Sequence, residues 1–132
     1  MRQDDCNGYL HPQATEGLRL FNAGHYWESH EALEAAWIAE KGAVRDLYRG
    51  ILQTAVVYLH VTRANYPGAV KVYGRSQKWL RPWPDMCRGV QVERLRYDLD
   101  AVIAEVRKLG PERLADFDRS LLKAIIYESD TP

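Results

Sequence analysis

Between Asp46 and Ala64, the side chains of Leu47, Ile51, Leu52, Val56, Val57, Leu59 and Val61 point in nearly every direction around a helix. A helix that is apolar all round must be enclosed by other helices. This segment therefore constrains the fold more than any other, and it predicts an all-α chain built as one compact bundle around a buried third helix. Asp46 is a residue type that starts helices, and Asn65-Tyr-Pro-Gly68 reads as the turn that follows. The run Gly50 to Ala64 is interrupted by Gln53, Thr54, His60, Thr62 and Arg63. It is shorter and more polar than the ~20 apolar residues that cross a bilayer, so no membrane span is expected.

The flanking sequence supplies about four more helices. Pro12 suits a first helical turn, and the helix it opens runs through Leu18, Leu20 and Phe21 to Asn22, with Gly24 as its left-handed stop. A second helix is expected from His25 to Glu40 and a fourth from Ala69 to Leu80, broken by Arg81-Pro-Trp-Pro-Asp85. Val92, Leu95, Leu99, Val102, Val106 and Leu109 recur at three- and four-residue steps and define a fifth, which Gly110-Pro111 ends. Leu121, Leu122, Ile125 and Ile126 keep a helical spacing in the tail. No run alternates with period two, so no sheet is expected.

Residues 1–11 read as a loose leader without the apolar stretch of a secretory signal, and residues 12–132 as a single helical domain. A chain of 132 residues with 46% hydrophobic and 27% charged residues can bury its own core, which excludes wholesale disorder. Cys6 and Cys87 stand alone with no CxxC partner. They read as plain thiols of a reducing, cytoplasmic compartment.

The chemistry concentrates on two stripes. At ~100° per residue, Trp27, His30, Glu34 and Trp37 share one side of the second helix, with Glu31 at its edge. His30 and Glu34 are four apart and can touch. Two tryptophans bracketing them imply that the stripe faces inward. On the third helix Gly50, Gln53, Val57, His60 and Ala64 line up in the same way. If the stripes meet, His30, Glu34, Gln53 and His60 converge inside the bundle. Buried unpaired, such groups cost roughly 1–3 kcal/mol each, so they must satisfy one another or bind something.

Three readings compete for this cluster. In the first it is a closed hydrogen-bond network that only fixes helix register, the protein being a scaffold or interaction module. In the second His30, Glu34 and His60 bind a divalent transition ion such as zinc in an open three-ligand site, with Gln53, Glu31, Trp27 and Trp37 in support. Catalysis would then be metal-assisted hydrolysis. In the third Glu34 polarises a histidine for acid–base work; this reading lacks a nucleophile, since Ser29 and Thr54 lie off the stripe and no GxSxG occurs.

Leu20-Phe-Asn-Ala-Gly-His-Tyr-Trp-Glu-Ser-His-Glu-Ala-Leu-Glu-Ala-Ala-Trp37, followed by Gly50-Ile-Leu-Gln53, His60 and Asn65-Tyr-Pro-Gly68, resembles the bacterial and archaeal domain of unknown function 309 family. The resemblance covers roughly Gly17 to Leu80. It rests on the family's HxxxExx(W/Y) motif, matched by His30, Glu34 and Trp37. It implies an all-α fold and a motif with a proposed role in metal binding, and it implies no established activity.

Other features point less far. The stretch Phe21 to His30 looks like one helix–turn–helix of a tetratricopeptide repeat, but only one such unit is recognisable, and stacking needs about three. Charge is uneven: two basic and seven acidic residues in 1–40, nine basic and two acidic in 41–90. The plain reading is that the two thirds pack together and cancel; the other is an electropositive face for an anionic partner. Lys71, Arg75 and Lys78 with Tyr73, Trp79 and Trp83 could in principle track a nucleic acid, yet zero net charge argues for a solvated face and against that partner. His11 and His25 read as ordinary exposed histidines at helix edges. A homo-oligomer is left open.

Overall fold

The computed structural model describes residues 3–128. Five helices follow one another: α1 (Pro12–Asn22), α2 (Tyr26–Ala39), α3 (Arg45–Thr62), α4 (Tyr66–Leu80) and α5 (Val92–Arg113). α1 packs on α2, α2 on α3, α3 on α4 and α4 on α5. The fold is all-α, with α3 in the middle as its apolar circumference requires. Leu47, Tyr48, Ile51, Ala55, Val57 and Tyr58 of α3 are fully enclosed, and Phe21, Leu18, Leu33, Leu80 and Leu99 close over them from the other helices.

The helices pair closely where the sequence is bare. A Cβ at Gly17 would strike the Leu33 side chain, so α1 and α2 approach to a distance that only glycine permits. Ser29 fastens the same contact by donating from Oγ to the Gly17 carbonyl at 2.7 Å.

The two hairpins α1–α2 and α3–α4 turn alike. Gly24 takes φ +83° and Ala64 φ +54°. In each the next residue reaches back five positions: His25 N–H donates to the Leu20 carbonyl and Asn65 N–H to the His60 carbonyl. A tyrosine follows in both, Tyr26 and Tyr66. The repeat-like unit read once in the sequence thus has a structural second copy. Ala64 hides it, because alanine in the left-handed position breaks the glycine signature.

Several expectations are corrected. α4 begins at Tyr66 rather than Ala69: Asn65 caps it by accepting from the Gly68 N–H at 3.1 Å, and Pro67 sits in the first turn where no N–H is needed. A small antiparallel hairpin is present, β1 (Met86–Cys87) and β2 (Val90–Gln91), joined by Arg88-Gly89 with φ of +51° and +83°. Two positive φ values make the tight turn that matches strand twist. Its strands, two residues each, are too short to show alternation. α5 kinks at Gly110 (φ +73°), where the Gly-Pro pair predicts a stop, and ends at Arg113; over its described residues the tail that follows does not form an α-helix. It makes two short 3-10 turns and then lies along the hairpin, where Val90 bridges to Tyr127. Asn22 clamps it from both sides, accepting from Ile125 N–H at 2.8 Å and donating to its carbonyl at 2.9 Å.

The leader, over its described part, is tied down rather than loose. Arg88 donates to the carbonyls of Asp5 and Tyr9, and Cys6 is bonded to Cys87. The expectation of two separate thiols is therefore overturned, and with it the cysteine argument for a reducing compartment. Eighty-one positions of sequence separate the pair; only the packing of the N-terminal 3-10 turn on β1 brings the Cα atoms to 4.4 Å, and no local spacing foretells it.

Candidate functional face of α2 and α3

α2 is apolar on nearly every side, so two of its stripes compete for the interior. Tyr26, Ser29, Leu33 and Ala36 win. They are the flatter set, and small side chains let α1 and α3 come close. The Trp27–His30–Glu34–Trp37 stripe is turned one residue away. Trp27 is 49% exposed, Glu31 and Glu34 are exposed, and only His30 and Trp37 are half-buried. The expectation that this stripe faces a closed interior is corrected: it lies along the rim of the α2–α3 contact.

Within that rim His30 stacks on Trp27 with ring centroids 5.1 Å apart and planes 25° from parallel. Gln53, on α3, is also half-buried. His30 Nδ1, Trp37 Nε1 and Gln53 Oε1 are each sealed from solvent without a hydrogen-bond partner. The closed network expected of these groups is therefore not made. A fourth such atom, the Tyr58 hydroxyl, lies elsewhere, among the rings of Phe21 and Tyr26. Burial, followed by the nearby Asp98 and Tyr26, pushes its ionisation well above the ordinary tyrosine range.

His60 lies in the last turn of α3. It closes the α3–α4 turn, where Nδ1 accepts from the Asn65 side-chain amide at 3.0 Å. Gly68 packs so tightly there that a Cβ would fall 2.8 Å from His60 Nδ1. Among the described residues no three or more His, Cys, Asp and Glu side chains come together to hold a metal. The donor set His30, Glu34 and His60 thus does not fit a three-ligand ion: one member is engaged in a turn, and the other two form only an i,i+4 pair at the surface. His11 and His25 precede α1 and α2, and His11 caps α1 by accepting from the Gln13 N–H.

At the other end of the face lies a feature the sequence reading did not find. Arg45 and Arg49 of α3 each place the guanidinium carbon 5.0 Å from the Trp37 ring centroid. Arg49 also lies 4.3 Å from the Trp79 centroid, and Lys78 Nζ 4.8 Å from the same ring. Among the described residues Glu28, Glu31, Glu34 and Glu40 form no ion pair with the basic middle of the chain. The signal was present as Arg45 and Arg49 at i,i+4, but their partners Trp37 and Trp79 come from two other helices.

An open cleft of about 670 Å³ between β1, the start of α5 and Lys123 contains none of the motif residues. Two of its charged groups, Asp85 and Arg94, already pair with Arg96 and Asp98.

No helix is long and apolar enough to cross a membrane among the described residues. No solved structure matches the chain. A curated relative, an uncharacterized protein of Aquifex aeolicus, is 23% identical over 100 residues, which cover 75% of this chain and 30% of that protein. The chain therefore spans less than a third of that relative's length. Residues 14–72, which carry most of α1, all of α2 and α3 and the first half of α4, match the family model described as domain of unknown function (DUF309). The matched stretch is 59 of the 132 residues and contains the His30–Glu34–Trp37 stripe.

Proposed function

We propose that this chain is a binding module whose α2–α3 face, around His30, Trp37 and Gln53, receives the polar groups of a ligand or partner. The observation that carries this reading is the set of three sealed, unpartnered polar atoms on adjoining helices. Each costs roughly 1–3 kcal/mol if left unmade. A cluster whose only task was to fix helix register would be expected to pair its own members. Here they do not pair, and the polar groups of a ligand that enters the contact would complete them. A divalent ion on this face would have only His30 and Glu34 as protein ligands, which leaves most of its coordination to water. The donor chemistry favours a hydrogen-bonding ligand over a held metal.

The reading is tested by Gln53→Met, which keeps the volume and removes the unpaired oxygen. A group kept for a ligand is a burden to the free protein. The thermal midpoint of the variant should equal or exceed that of the parent. A fall of several degrees would show that Gln53 is held in a structural network, and would overturn the proposal.

A further inference from the structure

Arg45, Trp37, Arg49, Trp79 and Lys78 form a continuous ladder of alternating cations and indoles across α2, α3 and α4. Arg45 has a task within the fold: its Nε donates to the Trp37 carbonyl at 3.3 Å and closes the last turn of α2. Arg49 has none of that kind. Among the described residues it makes neither a hydrogen bond nor an ion pair. Asp46, the acidic residue in the first turn of α3, pairs with no cation of the ladder.

A guanidinium packed against aromatic rings keeps its five N–H donors in its own plane, set in a rigid fork that matches an oxyanion. Two indoles hold Arg49, so little freedom remains to be lost when a ligand arrives. Lys78 and Arg45 add positive charge on either side, and Arg49 lies in the second turn of α3, near the positive end of the helix dipole. Gln53 follows one turn later on the same helix.

We infer that Arg49, held between Trp37 and Trp79, anchors the phosphoryl or carboxylate oxyanion of a small ligand. The inference rests on the reading that this face binds a ligand, and it names the ligand's charged group. The two indoles are also its reporters. Protein carrying ¹⁵N-labelled tryptophan is titrated separately with pyrophosphate and with citrate, against sodium chloride at matched ionic strength. Saturable movement of the Trp37 and Trp79 indole N–H signals, with the Trp83 signal fixed, is the expected result for one of the two anions. The anion that saturates tells a phosphoryl site from a carboxylate site.

Arg49→Gln should weaken that binding about tenfold or more, as the loss of a charged hydrogen-bonding fork does. Arg49→Lys, which keeps the charge but not the fork, should also fall short of the parent and covers the case in which the glutamine variant does not fold. No saturation by either anion up to about 10 mM, weaker than any useful site, overturns the inference. So does parental affinity in the folded Arg49 variants. Either failure, beside a Gln53→Met protein at least as stable as the parent, would leave the binding face standing and remove only the oxyanion.

Discussion

Asn65 donates from its side-chain amide to Nδ1 of His60 across 3.0 Å, and the far end of the same amide fixes that direction. Asn65 Oδ1 already accepts from the Gly68 N–H at 3.1 Å, so the nitrogen must be the end that faces His60. The imidazole is then an acceptor at Nδ1 and carries its proton on Nε2. Protonating Nδ1 sets two donors against each other at the cap of α4.

His60 accordingly titrates below the ordinary histidine value, first because burial disfavours the imidazolium and second because Arg63 repels it. A histidine whose folded pKa is depressed favours the fold while it is neutral. Its contribution is complete above the unfolded value of about 6.5 and is lost as the pH falls from there through the folded value. Thermal midpoints measured from about pH 8 down to about pH 5 should therefore decline, and His60→Gln, which keeps a neutral acceptor, should decline less. Identical slopes in the two proteins would show that His60 is not the group responsible.

The helices and their order were legible because their signals are local: Pro12, Gly24, the all-round apolarity of α3 and the steps from Val92 to Leu109 each act within a few residues. The orientation of α2 was not legible. Its two stripes are both apolar enough to be buried, and the choice between them rests on how closely α1 and α3 approach Ser29 and Ala36, which is a property of the packed bundle. The same holds for Cys6 with Cys87 and for Arg49 with Trp37 and Trp79. Each is a contact between distant segments, and neither spacing nor composition marks it.

Ala64 sits at φ +54°, where a Cβ crowds the following carbonyl. Its counterpart in the first hairpin is Gly24. Ala64→Gly relieves the crowding and adds some freedom to the unfolded chain. It should leave a net gain of about 0.5–1 kcal/mol in denaturant melts, and Gly24→Ala a loss of about 1 kcal/mol. A glycine variant less stable than the parent would mean that the turn is set by something other than backbone sterics.

The Cys6–Cys87 bond closes a long loop, since 81 positions separate the two residues. Crosslinks of this span stabilise by restricting the unfolded chain, typically by about 2–4 kcal/mol. Cys87→Ala should lower the denaturation midpoint accordingly, and reductant should do the same to the parent while leaving the variant unmoved. Alkylation of the unfolded parent without reductant should label neither cysteine. Labelling of both would show that the thiols are free in solution.

The most direct check of which stripe of α2 faces inward compares two neighbouring substitutions. Ser29 is fully buried and donates to the Gly17 carbonyl at 2.7 Å, at the point where α1 and α2 are closest. Ser29→Ala removes this buried hydrogen bond, though the carbonyl keeps its bond within α1, and should cost about 1 kcal/mol. Glu34 is exposed and makes no ion pair among the described residues. Glu34→Ala touches nothing buried and places a better helix former in mid-helix, so stability should stay within about 0.5 kcal/mol of the parent. Had the motif stripe been enclosed, the order would reverse, because removing Glu34 would leave a buried imidazole without its partner. Denaturant titration of the two variants side by side decides between the orientations, and a larger loss in Glu34→Ala than in Ser29→Ala would require α2 to be turned by about 100°, one residue's rotation.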